Sequence, residues 1–112
     1  MADNASSGTY ILVTTTCSDR TAIQEIAQHL VDSRLAACVQ LSGPVLSVYR
    51  WEEKVESTEE WLLQAKTRAS LWETVVATIN SLHPYDVPEL LATPLAQIAP
   101  DYERWLDEVL LN

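Results

Sequence analysis

One stretch limits what this chain can become more than any other: residues 37–67, A-C-V-Q-L-S-G-P-V-L-S-V-Y-R-W-E-E-K-V-E-S-T-E-E-W-L-L-Q-A-K-T. Val, Leu, Tyr and Trp recur in both halves, residue types that suit a pleated, half-buried surface, so the pattern predicts one long β-hairpin. Gly43-Pro44 interrupts the first arm, and because proline donates nothing to a ladder, a bulge or bend is expected there. Beyond it Val45, Ser47, Tyr49 and Trp51 share one face, while Leu46, Val48 and Arg50 take the other. On the returning arm Trp61, Leu63, Ala65 and Thr67 face one way, and Glu60, Leu62, Gln64 and Lys66 the opposite way. The tip around Glu52-Glu53-Lys54 has no Asn-Gly or Asp-Gly pair, so the sequence leaves the register open. Both arms exceed the roughly five or six residues of an ordinary strand and carry apolar side chains on both faces. A long bare edge of that kind invites pairing with another chain. Cover by further copies of the protein is the economical solution, so the segment by itself predicts oligomerisation.

The flanking segments supply the rest of a small domain. Residues 9–16 (T-Y-I-L-V-T-T-T) are a β-branched run, as expected of a central strand buried on both faces. Ser18 and Asp19 offer capping oxygens to a helix of about four turns whose apolar stripe is Ile23, Ile26, Ala27, Leu30, Val31 and Leu35. His29 falls on its polar side and reads as surface. Ser70-Leu71-Trp72-Glu73 has the form of a capping box, and the helix it opens buries Trp72, Val75, Val76 and Ile79 before ending near Leu82. Pro84 disfavours a helical His83. Residues 87–93 read as a short strand and residues 95–98 as a second extended piece. Pro100 and Asp101 start a last helix carrying Tyr102, Trp105, Leu106, Val109 and Leu110. The order is β-α-β-β-α-β with an extra C-terminal short strand and helix, an α+β chain in the ferredoxin-like arrangement. Without repeat or linker, residues 9–112 read as one domain behind a polar, disordered tail at 1–8. Four tryptophans promise a large apolar payload. Full burial of Trp61 alone would be worth about 4–6 kcal/mol gross.

Charge narrows the function. A formal net charge of −9 and the lack of a basic stripe exclude nucleic-acid binding and disfavour anionic membranes. Such a field concentrates cations and basic partners; equally, it keeps a protein in solution. No apolar run approaches the eighteen or so residues that cross a bilayer, and residues 1–8 lack the basic and apolar regions of a signal, so the cytoplasm is the expected compartment. Cys17 and Cys38 have no metal-site spacing and read as free thiols in that reducing setting. Nucleophile elbows, zinc-protease helices and phosphate loops are missing, and two glycines leave little for a phosphate cradle, so no catalytic residue is predicted.

A few side chains remain. Lys66, in an apolar strand, must pair with Glu60 or Glu89 or else line an anion pocket, because a buried ammonium is costly alone. His83 closes a helix, where it can complement the dipole or ligate copper or zinc. Cys38 reads as a buried, inert thiol that would form a soft N/S site only if His83 approached it across subunits.

The blocks R-L-A-A-C-V, S-V-Y-R-W-E-E-K, E-W-L-L-Q-A-K-T, H-P-Y-D-V-P-E-L-L and D-Y-E-R-W-L resemble, in that order and across about residues 10–110, the CutA divalent-cation tolerance family. The resemblance implies a fold similar to the PII signalling proteins, assembled as a tight homotrimer whose hairpins reach over neighbouring subunits. It implies clefts between subunits that receive Cys38, Trp51, Glu60, Lys66, His83, Tyr85 and Glu89. It further implies a non-enzymatic cytoplasmic protein of metal tolerance with no obligatory cofactor. Cu²⁺ or another divalent cation is the candidate metal and His83 its candidate ligand. The alternative is a PII-like sensor with a small metabolite in the cleft. Glu53 stands where the family's hairpin-tip glycine is usual. Thr15 and Leu82 stand where some bacterial members carry a cysteine and a second histidine, which leaves His83 as the main metal candidate.

Overall fold

The computed structural model describes residues 9–112; the tail expected at 1–8 lies outside them. Its elements are β1 (Tyr10–Cys17), α1 (Arg20–Asp32), β2 (Cys38–Trp51), β3 (Lys54–Arg68), α2 (Trp72–Leu82), β4 (Leu91–Pro94) and α3 (Pro100–Val109). The four strands form one antiparallel sheet in the order β2-β3-β1-β4, the ferredoxin-like arrangement. β1 is hydrogen-bonded on both sides, as its unbroken β-branched run predicts. Val13, Thr15 and Cys17 of β1 lie beside Ala65, Leu63 and Trp61 of β3, and this row faces the helices. Ile23, Ile26 and Leu30 of α1 and Val75 and Ile79 of α2 close over it, all buried.

Local chemistry sets the helix ends. Asp19 caps α1, its carboxylate accepting from the Ala22 amide at 3.1 Å. Arg34, at φ 62°, turns the chain out of the helix, and the Leu35 and Ala36 amides both fold back to the Leu30 carbonyl. Leu35, expected within the helix, thus lies beyond its stop yet is still buried. The predicted capping box does not form. Residues Ala69–Leu71 make a 3₁₀ turn, so Ser70 is already inside a helical segment and Leu71 occupies the cap position of α2 with no side-chain bond.

The C-terminal part differs from expectation in one further respect. β4 covers only Leu91–Pro94, paired with residues 11–14 of β1, and the extra strand expected at 95–98 is absent. The Leu95 amide still bonds the Tyr10 carbonyl at 3.0 Å, but Tyr10 begins β1, so beyond Leu95 the chain has run past the strand it was pairing with. α3 packs into the core through Leu106 and is tied further by arginines, while its aromatics Tyr102 and Trp105 stay exposed. Arg68 donates to the Asp107 carboxylate and to the Asp107 and Leu111 carbonyls, and Arg34 donates to those of Glu108 and Val109. Tyr10 donates its hydroxyl to Asp107 as well. Burial, then that bond, pushes the Tyr10 phenol up to about 12, while the bond from Tyr10 holds the Asp107 carboxyl below its usual range.

None of the four tryptophans is fully buried, contrary to the payload expected. Trp61 is opposite Cys17, the last residue of β1, so the packed sheet ends at its side; the Arg20 guanidinium lies over its ring at 4.7 Å. From there outward β2 and β3 pair only with each other and project as a free ribbon, stretching the molecule to 49 × 27 × 23 Å. Its radius of gyration, 15.0 Å, exceeds the about 13 Å of a compact chain of this length. Leu46, Val48 and Val55 on this ribbon are 67%, 63% and 65% exposed. A bulge between Ser42 and Val45 bends the first arm at Gly43 (φ 144°), where a Cβ would press on Trp61 and the Glu60 carbonyl. The tip is a two-residue turn, Glu52-Glu53 at φ 49° and 68°, which fixes the register by pairing Trp51 with Lys54.

Candidate functional site

One face of the ribbon, from its base to its tip, and the loop after α2 border an open cleft of ≈ 770 Å³. Ser47, Tyr49 and Trp51 enter it from β2, Glu56 and Glu60 from β3. Residues 85–89 form the facing wall and contribute Tyr85, Asp86 and Glu89. The bulge makes this possible: it sets Val45 opposite Glu60 and Tyr49 opposite Glu56, so Tyr49, Trp51, Glu56 and Glu60 share one face.

His83 does not line the cleft but contacts two residues that do, Tyr85 and Thr16. The Tyr85 amide donates to His83 Nδ1 at 3.1 Å, which leaves the proton on Nε2, and Nε2 donates to the Thr16 carbonyl at 2.8 Å. The imidazole is therefore neutral, buried and engaged at both nitrogens. The Tyr85 ring stands edge-on to it, 4.7 Å between centroids. The Tyr85 hydroxyl accepts from the Ser18 amide and donates to Glu60 Oε2, each at 2.8 Å. Burial pushes the Tyr85 phenol up and the bond to Glu60 adds to this, so the hydroxyl stays a proton donor. Glu60 is only 7% exposed, and that hydroxyl is its one hydrogen-bond donor among the described residues. No lysine or arginine lines the cleft, against the four carboxylates of Glu56, Glu60, Asp86 and Glu89.

Of the residues singled out from the sequence, Trp51, Glu60, Tyr85 and Glu89 meet in this cleft, and His83 lies beneath it. Cys38 and Lys66 do not join them within the chain. They face each other in register at the other end of the hairpin, Cys38 half-buried. Lys66 makes neither expected ion pair; its Nζ donates to Gln40 Oε1 at 3.0 Å. Glu60 and Lys66 do share a sheet face, but six residues of strand hold them about 20 Å apart. Tyr49, Glu56 and Asp86 were not anticipated. Tyr49 shares its face with Trp51 by simple alternation, whereas Glu56 enters only once the tip geometry sets the register. Among the described residues no three His, Cys, Asp or Glu side chains gather closely enough to hold a metal ion.

Comparison with known proteins agrees with this architecture. The model of the family described as CutA1 divalent ion tolerance protein matches residues 11–109. Protein CutA of Mus musculus is 39% identical over 94 residues, 84% of this chain but only 53% of its own length, so the chain spans about half of that relative. Divalent-cation tolerance protein CutA of Thermus thermophilus is 41% identical over 83 residues, 74% of this chain and 81% of that one. The crystal structure of CutA1 from Oryza sativa superposes with a TM-score of 0.89 at 34% identity, covering 95% of this chain and 97% of that one. The five sequence blocks, the strand order and the projecting ribbon thus find one common explanation: the chain belongs to the CutA1 divalent ion tolerance protein family.

Proposed function

We propose that the protein is a non-enzymatic cytoplasmic homotrimer that serves tolerance of divalent cations. The observation behind the assembly is the ribbon, whose apolar side chains on both faces have no cover within the chain. Sedimentation equilibrium tests it: a mass of three chains is expected, and a well-folded single chain at micromolar concentration would remove the assembly.

The metal role rests on the cleft's four uncompensated carboxylates. Their hard oxygens suit a hydrated divalent ion better than Cu²⁺, which favours imidazole. His83 can ligate only by giving up the Tyr85 amide or the Thr16 carbonyl. One chain's donors therefore do not fit a tightly held metal, and the binding proposed is weak, with no obligatory cofactor. Calorimetric titration of Cu²⁺ and Mg²⁺ into wild type, His83→Gln and Glu89→Gln tests it. Loss of heat in Glu89→Gln assigns the ion to the cleft and loss in His83→Gln assigns it to the imidazole; equal heats in all three discard a specific site.

A second reading, a PII-like module that takes a small molecule in the cleft, is favoured by its size. A volume of ≈ 770 Å³ falls in the range of about 300–1,000 Å³ typical of organic ligands and far exceeds what a metal ion needs. A thermal-shift screen of metabolites separates the readings, because a ligand of the native state raises the melting temperature.

A further inference from the structure

We propose that the cleft recognises an organic ammonium ion, an amine or quaternary ammonium carried on a carbon skeleton; this rests on the small-molecule reading of the cleft. The walls hold two kinds of group and lack a third. Trp51, Tyr49 and Tyr85 present aromatic surface, and Glu56, Glu60 and Glu89 present carboxylates. The missing kind is cationic: Lys54 lies across from Trp51 at the tip but does not line the cleft, and Lys66 is at the far end of the hairpin. Aromatic faces attract cations through their negative quadrupole, and a carboxylate beside them completes the recognition of an alkylated ammonium. An anionic ligand would meet like charge on every side. A bare metal ion would have no use for the rings.

Glu60 supplies an independent pointer. A nearly buried carboxylate ordinarily has a cation or several donors. Glu60 has the Tyr85 hydroxyl alone, and no Lys, Arg or His pairs with it among the described residues, so a carboxylate at the cleft wall lacks a counter-charge. The surrounding groups are fixed beforehand. The Tyr85 hydroxyl is held between the Ser18 amide and Glu60, and Tyr49 shares a 2.8 Å hydrogen bond with Thr58. Trp51, half-exposed beside the turn, has no such bond among the described residues.

The test uses the assembled protein at low ionic strength. Spermidine, choline and tetramethylammonium are titrated by calorimetry and tryptophan fluorescence, against succinate, glucose and Mg²⁺. Binding of the ammonium compounds is expected to weaken as salt is added, because charge attraction is screened. It should weaken about tenfold in Trp51→Ala, the size of a desolvated cation–π contact, and by a similar factor in Glu56→Gln, whose carboxylate stands opposite Tyr49; Glu60, about 20 Å along the ribbon from Trp51, should matter together with Trp51 only for the longer spermidine. Lys66→Ala should leave it unchanged. Trp51 is exposed at the ribbon tip, so Trp51→Ala keeps the test valid even if Glu56→Gln folds poorly. Succinate or glucose binding in a Trp51-dependent manner without the ammonium compounds would overturn the ligand class and leave the small-molecule reading standing. Binding of no organic compound would remove both. Ammonium binding insensitive to Trp51→Ala would reduce the cleft to an unselective acidic surface and overturn the proposal.

Discussion

Thr15 is the sharpest point at which the fold can be tested. Its side chain is completely buried in the helix-facing row between Val13 and Cys17, and its hydroxyl has no hydrogen-bond partner among the described residues. On the neighbouring strand Thr67, also completely buried on that face, donates its hydroxyl to the Leu35 carbonyl at 2.6 Å. Threonine to valine keeps the shape and removes the hydroxyl, so the same substitution should have opposite signs at the two positions. At Thr15 an unpaid desolvation of about 1–3 kcal/mol disappears and nothing is lost. At Thr67 a bond is lost and the Leu35 carbonyl is left unpaired, a cost of about 1–3 kcal/mol. With a urea dependence of about 1–3 kcal/mol per molar, each change moves the unfolding midpoint by roughly 1 M, upward for Thr15→Val and downward for Thr67→Val. Unfolding is followed by far-ultraviolet circular dichroism at one fixed protein concentration, since the proposed assembly would make stability depend on it. A Thr15→Val protein no more stable than wild type would mean the hydroxyl has a partner, and the account of this row would be wrong.

Three further outcomes follow from the same geometry. Glu52 and Glu53 form the tip with positive φ at both positions, so Glu53→Gly should relieve about 1 kcal/mol locally and slow hydrogen exchange at Lys54 and Val55; faster exchange would contradict the assigned turn. Tyr10 is held neutral up to about 12 against an ordinary 10, so its contribution is complete below pH 10 and is lost as pH rises from 10 to about 12; Tyr10→Phe should remove that alkaline decline from the stability profile. His83→Ala should cost about 2–4 kcal/mol by orphaning the Thr16 carbonyl and the Tyr85 amide, and His83→Gln, whose amide can still donate to Thr16, should recover part of it in the same denaturation assay.

What was legible in the sequence followed from period and burial. The β-branched run of β1 and the three- and four-residue steps of α1 each have a single way to bury their faces, and they do so; the apolar residues of β2 and β3 announced a long hairpin, whose outer half stays uncovered within the chain. Where short-range chemistry alone decides, the reading was less secure. Ser70 and Glu73 have the letters of a capping box, yet the backbone had already entered a 3₁₀ turn one residue earlier. Glu52-Glu53 carries no turn signature because glutamate rarely adopts positive φ, and the paired strands impose it. Among the site residues, Trp51, Glu60, Tyr85 and Glu89 could be grouped; the separation of Lys66 from Glu60 was also legible, because six residues of one predicted strand span about 20 Å. The ring of His83 could not be read, since its two partners are backbone groups that any sequence possesses.

The ribbon would tie the proposed assembly to the cleft. One wall of the cleft is the part of the hairpin that extends past the end of β1, the same part whose outer face is exposed and apolar. A chain that docked on that face would fix the position of Trp51 and Tyr49 relative to the loop at 85–89. An occupant bridging the ribbon and the loop at 85–89 would in turn hold the ribbon in the posture that docking requires. Two events that order the same element are linked, and each must favour the other by the same factor. A cleft ligand should therefore shift the dissociation of the assembly to lower protein concentration, by as much as assembly tightens the ligand. Measuring both with Trp51→Ala as reference would distinguish this coupling from a cleft that is complete within one chain, for which the two constants would be independent.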